Sequence, residues 1–549
     1  MTPETLIRKA ASSTWIGFVI FVNISTLTAF GLAWLPGGLN PAAALIGMLA
    51  GLIGVVAVRK HHRTSELIDS PPSQYWIFHW LGVLAFTLFA VRVFCWHTIT
   101  RSDDFCILSP NNISDFPLHA QYINFFAQGA TMWPSNPFKS GNSICYPFGM
   151  DFFNAILTSA GLDLLRGIVI VGLFASIATA AALFAYGRTL GIAAFLFNSG
   201  TVGWAFFNTG ELIDYQQTVD WKSIPLSLFV TQRGFLYAIP AGLLLLHQWT
   251  KIEFSPQSEK PLSSWVEVLI YCTMPLFHLH TFMFLSVILG CRLIWGRHRQ
   301  HTIKVLIWSV LPATILTFLL TDRFTAASHV SFQLGWLQGN HFSLFYWLKN
   351  FGGIPVYFGW LLCVVIRRTR SSNKTEAEHA KRVLIFIGPA IFIFIASLFF
   401  KFAPWAWDNT KFFAWSTIVI IPFLWREVVQ NHSLSFRMGT CFILFFSGFI
   451  SLWGGIGPEF KGFEIAKRSE IAQVAGAVEA IPIQAVFATA QEYAHPLVMN
   501  GRRLVLGFNG HAVGHGLNVD EQRKNLNNLM NGDEGWQEAA KKVGADYVF

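Results

Sequence analysis

Long apolar runs alternate with short polar segments along most of the chain. Runs near 20 residues, the length that crosses a bilayer as a helix, recur about a dozen times between residues 13 and 455. We therefore expect an all-α polytopic membrane protein with roughly 12–13 transmembrane helices. The predicted single spans are 13–35, 41–58, 76–98, 167–187, 189–209, 226–248, 304–322, 352–366, 383–402, 412–427 and 438–455.

The stretch 263–296 breaks this pattern because it is too long for one span. It contains Pro275, which cannot donate a helical hydrogen bond. We expect two short helices that meet around "PLFHLHT".

The pattern changes again after residue 455, where helix-like and strand-like segments of soluble character alternate. The predicted organisation is a multi-span transmembrane domain, 1–455, followed by a small soluble α/β domain, 456–549. Residues 99–166 form a large external loop within the first domain, and the N-terminal run is an uncleaved first span.

Composition and charge agree with a membrane location. Of 549 residues, 53% are hydrophobic and 13% charged, against about 25% charged in soluble domains. The net charge of +9 comes largely from basic loops at 59–63, 297–301 and 367–382, which follow the positive-inside rule and do not indicate nucleic acid. The C-terminal domain then lies outside a bacterial inner membrane, or in the lumen of the endoplasmic reticulum if the chain is eukaryotic.

The same topology brings most of the unusual polar segments to the outer side. Cys106 and Cys145 both fall in the external loop, where a disulfide and two free thiols stay equally open. In "NNISDFPLHAQYINFFAQG" the apolar and polar residues take opposite faces of a helix at 116–129, which predicts an amphipathic helix on the membrane surface. Asp115 stands at its N-cap position, and capping alone would explain that residue.

A long first external loop, an Asp that opens a juxtamembrane helix ending in Gly129, and the following "YPFG" resemble the GT-C superfamily of membrane glycosyltransferases. The resemblance implies many spans, a soluble domain after them, and a loop carboxylate that faces a polyprenyl-phosphate sugar. Asp115 inherits that catalytic position, and Asp104 is the second choice. Phe116 and Pro117 follow Asp115 where some relatives have a second acidic residue, which disfavours a two-carboxylate site.

One carboxylate and a nearby cation suffice for this chemistry, since the acceptor proton needs a base and the leaving phosphate needs positive charge. Arg233, Lys411 and His280 are the candidates for the donor phosphate, although interfacial anchoring explains the first two equally. His119, Glu211 and Asp408 are assigned to the acceptor or to support. His278 and His280 lie two residues apart and could share a metal only on irregular backbone, so a divalent ion stays open.

The histidines near the C-terminus, His495, His511 and His515, fit no metal motif, and we expect a loop that lies over the membrane site. The leading hypothesis is a glycosyltransferase that moves a sugar from a polyprenyl-phosphate donor to a glycan, lipid or protein hydroxyl at the outer face of the bilayer. The alternative is a transporter or flippase of lipid-linked glycans, for which paired broken helices in two related halves would be expected.

Overall fold

The computed structural model describes residues 3–61, 76–96, 98–107, 112–254, 262–325, 330–338, 342–457 and 462–549. The predicted basic loop 59–63 lies partly outside these residues.

The helices are α1 (Pro3–Leu32), α2 (Pro41–His61), α3 (Trp76–Cys95), α4 (Asp115–Ala127), α5 (Gly149–Ser159), α6 (Leu164–Leu196), α7 (Phe206–Thr209), α8 (Gly234–Phe254), α9 (Ser264–Phe277), α10 (Leu279–Trp295), α11 (Arg299–Leu320), α12 (Leu344–Phe351), α13 (Ile354–Thr369), α14 (Lys374–Phe399), α15 (Thr410–Glu427), α16 (Leu434–Gly455), α17 (Arg468–Val478), α18 (Pro496–Met499), α19 (Asn509–Gly514), α20 (Asp520–Asn531) and α21 (Trp536–Val543). The strands are β1 (Thr98–Arg101), β2 (Asp104–Ile107), β3 (Ser331–Phe332), β4 (Phe400–Lys401), β5 (Phe463–Lys467), β6 (Val486–Ala488), β7 (Arg503–Leu504) and β8 (Tyr547–Val548).

Eight helices among the described residues are long and apolar enough to cross a membrane, or nine if α12 and α13, bent by 89°, form one span. The chain is therefore a multi-pass α-helical membrane protein. The expected 12–13 spans exceed this number partly because the predicted span 189–209 belongs to α6 only as far as Leu196, and the α6 backbone is non-helical at Arg188.

The predicted break in 263–296 is confirmed, since α9 and α10 have 14 and 17 residues. The backbone leaves the helix at His278, with φ −163° and ψ 102°, while Pro275 stays inside α9. His278 then caps α10, because its ring accepts a hydrogen bond from the backbone N–H of Thr281.

Close packing holds α1 against α2 and α8. A Cβ added at Gly51 would lie 2.1 Å from the Ser25 hydroxyl oxygen, so only glycine permits this approach of the two helix backbones. The buried Trp15 indole donates a hydrogen bond to the Pro240 carbonyl oxygen at 2.9 Å. These contacts fix the first span against the interior of the bundle.

The loop after α3 and the region after α16 form one structure. Strand β2 pairs antiparallel with both β1 and β5, so the C-terminal region extends the sheet of the first loop. The remaining C-terminal strands form a parallel sheet in the order β7-β6-β8, among helices, which is the expected α/β composition. Cys106 and Cys145 are free thiols, so the disulfide is not formed.

Helix α4 differs from the amphipathic surface helix expected at 116–129. Its buried and half-buried side-chain amides donate hydrogen bonds to backbone carbonyl oxygens of the C-terminal region instead of to water, and the exposed Gln128 just past the helix end makes a similar bond. Gln121 reaches Arg502 at 2.9 Å, and Asn124 reaches Met499 at 2.7 Å. Gln128 donates to the Asn500 carbonyl oxygen at 2.9 Å. The helix is therefore buried between the membrane helices and the C-terminal region.

We expect Gly501→Ala to loosen this contact. Gly501 has φ +71°, and a Cβ there would lie 2.5 Å from the backbone nitrogen of Phe125 in α4. The left-handed conformation alone should cost about 1–2 kcal/mol, before any displacement of α4. Limited proteolysis of the region after residue 457 should be faster in Gly501→Ala than in Gly476→Ala. Gly476→Ala is the control, because its added Cβ meets nothing within 4 Å. Equal proteolysis of the two variants would contradict the close contact.

Candidate functional site

A cavity of about 810 Å³ opens where the first loop, the C-terminal region and the ends of several membrane helices meet. Its walls come from the start of α4, the α9–α10 break, the end of α11, and the segments 402–411 and 508–518. The cavity thus combines residues of the first loop, of the ends of membrane helices and of the C-terminal region.

Asp115 lies on the cavity wall as the first residue of α4. The N-cap residue is Ser114, so the predicted capping role of Asp115 is wrong and its carboxylate is left for other contacts. Burial raises the pKa of Asp115 to about 6, against the opposing effects of His119 and Lys411. A carboxylate with this pKa can both accept and hold a proton near neutral pH.

His119 follows Asp115 by one helical turn and also lines the cavity. Its Nδ1 donates to both carboxylate oxygens of Asp151, at 2.9 and 3.0 Å, and both side chains are buried. This bond fixes the ring orientation and leaves Nε2 as the acceptor of the neutral imidazole. Sequence reasoning missed Asp151, although it lies just after the quoted "YPFG" segment.

Lys411 and Asp408 occupy the membrane-side wall near the start of α15. The Lys411 ammonium lies 3.0 Å from the Asp408 carboxylate, and both side chains are largely shielded from solvent. Asp408 therefore neutralises part of the positive charge that was expected to face a phosphate.

His278 and His280 line the same wall at the break between α9 and α10, with ring centroids 5.8 Å apart. The Nε2 atoms of both rings are buried without a hydrogen-bond partner among the described residues. Buried polar atoms are normally satisfied, so these two nitrogens are available to a ligand. Within the described part of the chain, no three His, Cys, Asp or Glu residues are grouped to hold a metal ion.

Three predicted site residues are absent from the cavity wall. Asp104 pairs with Lys467 in the sheet of the first loop. Arg233 is buried behind the wall and donates to the Asn154 side chain at 3.0 Å. Glu211 is exposed on its turn. The expected donor-phosphate set of Arg233, Lys411 and His280 is therefore reduced to Lys411 and His280 at the cavity.

The segment 508–518 lines the same cavity as the ends of the membrane helices, and its role as a loop over the site stays a prediction. His511 Nε2 donates to the Ser114 carbonyl oxygen at 3.1 Å, which ties the segment to the start of α4. Burial lowers the pKa of His511 to about 4 and that of His515 to about 3, so both rings are neutral at physiological pH.

The raised pKa of Asp115 is directly measurable by infrared titration as the difference between wild type and Asp115→Asn. We expect a protonated-carboxyl band with a midpoint near pH 6. In Lys411→Met the midpoint should move to higher pH, because a nearby cation that favours the carboxylate is lost. Lys467→Met removes a cation paired with Asp104 and should leave the midpoint unchanged. A midpoint near the ordinary value of 3.8 would refute the burial of Asp115.

Comparison with known proteins gives little. No family model and no curated protein matches the chain. Among solved structures, the chain is similar to the crystal structure of an Archaeoglobus fulgidus oligosaccharyltransferase tethered with an acceptor peptide containing the NVT sequon. The identity is 12% and the TM-score 0.40, over 87% of this chain and 69% of that chain.

Proposed function

We propose that the protein is a glycosyltransferase that moves a sugar from a polyprenyl-phosphate donor to a hydroxyl acceptor. The observation that carries the proposal is Asp115, a carboxylate with a pKa of about 6 on the wall of a large cavity at the end of a membrane bundle. Such a group suits a base that accepts a proton from a hydroxyl at neutral pH.

The proposed reaction is a displacement at the anomeric carbon of the donor sugar. The acceptor oxygen forms a bond to this carbon while the bond to the phosphate oxygen breaks. The acceptor proton passes to Asp115, and the bonding electrons leave with the polyprenyl phosphate. Lys411 and the ring N–H of His280 supply the positive charge and the hydrogen bond that stabilise the leaving phosphate. Asp408 holds Lys411 in place and limits its charge.

His119 and Asp151 support the base in this mechanism. The imidazole lies one turn after Asp115, and in its protonated form its charge favours the carboxylate form of Asp115. The hydrogen bonds to Asp151 keep Nε2 unprotonated in the neutral ring, so it is able to accept a hydrogen bond from the acceptor hydroxyl. Arg233 is reassigned from the donor phosphate to a positioning role behind the wall, through its contact with Asn154.

The orientation proposed from the basic loops agrees with helix direction. Helix α11 is about 33 Å long at 1.5 Å per residue, and the residues after its C-terminal end line the cavity. Its N-terminal end, with the basic loop 297–301, therefore lies at the opposite end of the bundle. With basic loops inside, the cavity faces the outside of a bacterial inner membrane, or the lumen of the endoplasmic reticulum if the chain is eukaryotic.

Asp115→Asn should lower sugar transfer by about 10²–10⁴-fold, because the amide cannot accept the acceptor proton. The measurement is release of polyprenyl phosphate from a panel of polyprenyl-phosphate sugars, with purified protein in liposomes and a mixed glycan acceptor. In wild type the rate should rise with pH through about 6, as Asp115 loses its proton.

Asp104→Asn is the matched control, since Asp104 pairs with Lys467 away from the cavity and should retain activity. No release from any donor, together with movement of labelled lipid-linked glycan across the bilayer, would instead support a transporter.

Asp151→Asn should lower kcat by about tenfold or more, because the His119 ring loses its fixed orientation. In a His119→Gln background the same substitution should have little further effect, since the group that it positions is gone. A double-mutant cycle measures this coupling. Independent losses that simply add would assign Asp151 to packing of α5 alone.

A further inference from the structure

The wall formed by residues 508–518, "FNGHAVGHGLN", differs chemically from the rest of the cavity surface. It contains no Asp, Glu, Lys or Arg, and both of its histidines are neutral. The charged groups Asp115, Asp408 and Lys411 lie elsewhere on the cavity surface. The segment itself is thus suited to an uncharged ligand, and the nearby Asp408 and Lys411 act on its His515 ring only through space.

The neutral wall presents an aromatic platform with unsatisfied polar atoms. The His515 ring stacks on Tyr146 with centroids 4.9 Å apart and an interplanar angle of 3°. Tyr122 stacks on Tyr146 at 5.8 Å, which supports the platform. Among the described residues, His515 Nδ1 and the Asn509 side-chain oxygen are buried without a hydrogen-bond partner. Each belongs to a group that can both donate and accept hydrogen bonds.

Space is available along this wall. Gly514 belongs to a helical turn that lines the cavity, and a Cβ added there would meet no atom within 4 Å. A ligand can therefore approach the backbone of the segment directly.

We propose that segment 508–518, together with Tyr146, is the acceptor subsite, and that the acceptor is an uncharged glycan. This inference rests on the proposed transferase function, because it assigns the second substrate of the same cavity. A sugar hydroxyl both donates and accepts hydrogen bonds, which matches neutral imidazole and carboxamide groups. The apolar C–H face of a sugar ring matches an aromatic surface.

Other classes of acceptor fit this wall less well. A phosphate or carboxylate would need cationic donors, and an ammonium group would need carboxylates, yet the segment carries neither. An extended peptide is commonly held by hydrogen bonds to a free strand edge, whereas the cavity-lining segment contains the helical turn α19. The exposed Asp322 also lines the cavity, and it is close enough to Cys145, the neighbour of Tyr146, to act on it electrostatically.

The test is Gly514→Leu in the full chain, since a leucine side chain fits the fold there and fills the subsite. We expect the KM for a neutral glycan acceptor to rise about tenfold or more, while the KM for the donor stays unchanged. Gly476→Leu is the matched control, because Gly476 is also helical and open within 4 Å but lies away from the cavity. Equal acceptor KM values for Gly514→Leu and Gly476→Leu would overturn the assignment.

A binding measurement separates this inference from the transferase function. The full chain in lipid nanodiscs is applied without donor to an array of neutral, acidic and aminated glycans and of hydroxyl-bearing peptides. Neutral glycans should be retained by wild type and by Gly476→Leu, and lost in Gly514→Leu. Retention of only charged glycans or peptides, or of no neutral glycan, would refute the subsite even if donor turnover is established. Neutral-glycan binding without donor turnover would leave the subsite standing and remove the proposed reaction.

Discussion

The docking of α4 onto the C-terminal region is the contact on which the site depends. Three side-chain amides of this helix donate to carbonyl oxygens around residues 499–502, and His511 donates to the residue just before the helix. Without these partners, the buried Gln121 and the half-buried Asn124 would each cost free energy comparable to a hydrogen bond. The same contact sets the position of Asp115 and His119 and brings segment 508–518 to the cavity. One interface therefore determines both the proposed base and the wall that faces it.

The division of the cavity into a charged and a neutral wall gives the two proposed substrates different surroundings. Lys411 and His280 lie on the membrane side, where a lipid-linked phosphate would arrive from the bilayer. His515 and Tyr146 belong to the C-terminal segment and to the first loop, outside the membrane helices. Asp115, at the start of α4, is joined to the second wall through Ser114 and His511. Charged side chains thus lie where the proposed reaction changes the charge of the substrates. The neutral residues recognise the shape of the proposed acceptor.

Hydrophobic pattern predicted the helices well because each span must bury its own backbone groups within a single continuous segment. The break near Pro275 was also predicted, from a residue type. The polar face of α4 was misjudged because its partners lie about 375 residues later in the chain, and no local pattern distinguishes water from a distant carbonyl as the acceptor. Asp151 was missed for the same reason, since its partner His119 belongs to another helix 32 residues away. Arg233 shows the converse error: its side chain turns into the protein behind the wall.

The position of segment 508–518 along the chain has a consequence for biosynthesis. The membrane helices end at Gly455, so the bundle can insert and pack before residues 499–518 have left the ribosome. Until then α4 has no partner for its amides, and the cavity lacks one wall. The proposed active site would therefore be complete only after synthesis and folding of the C-terminal region.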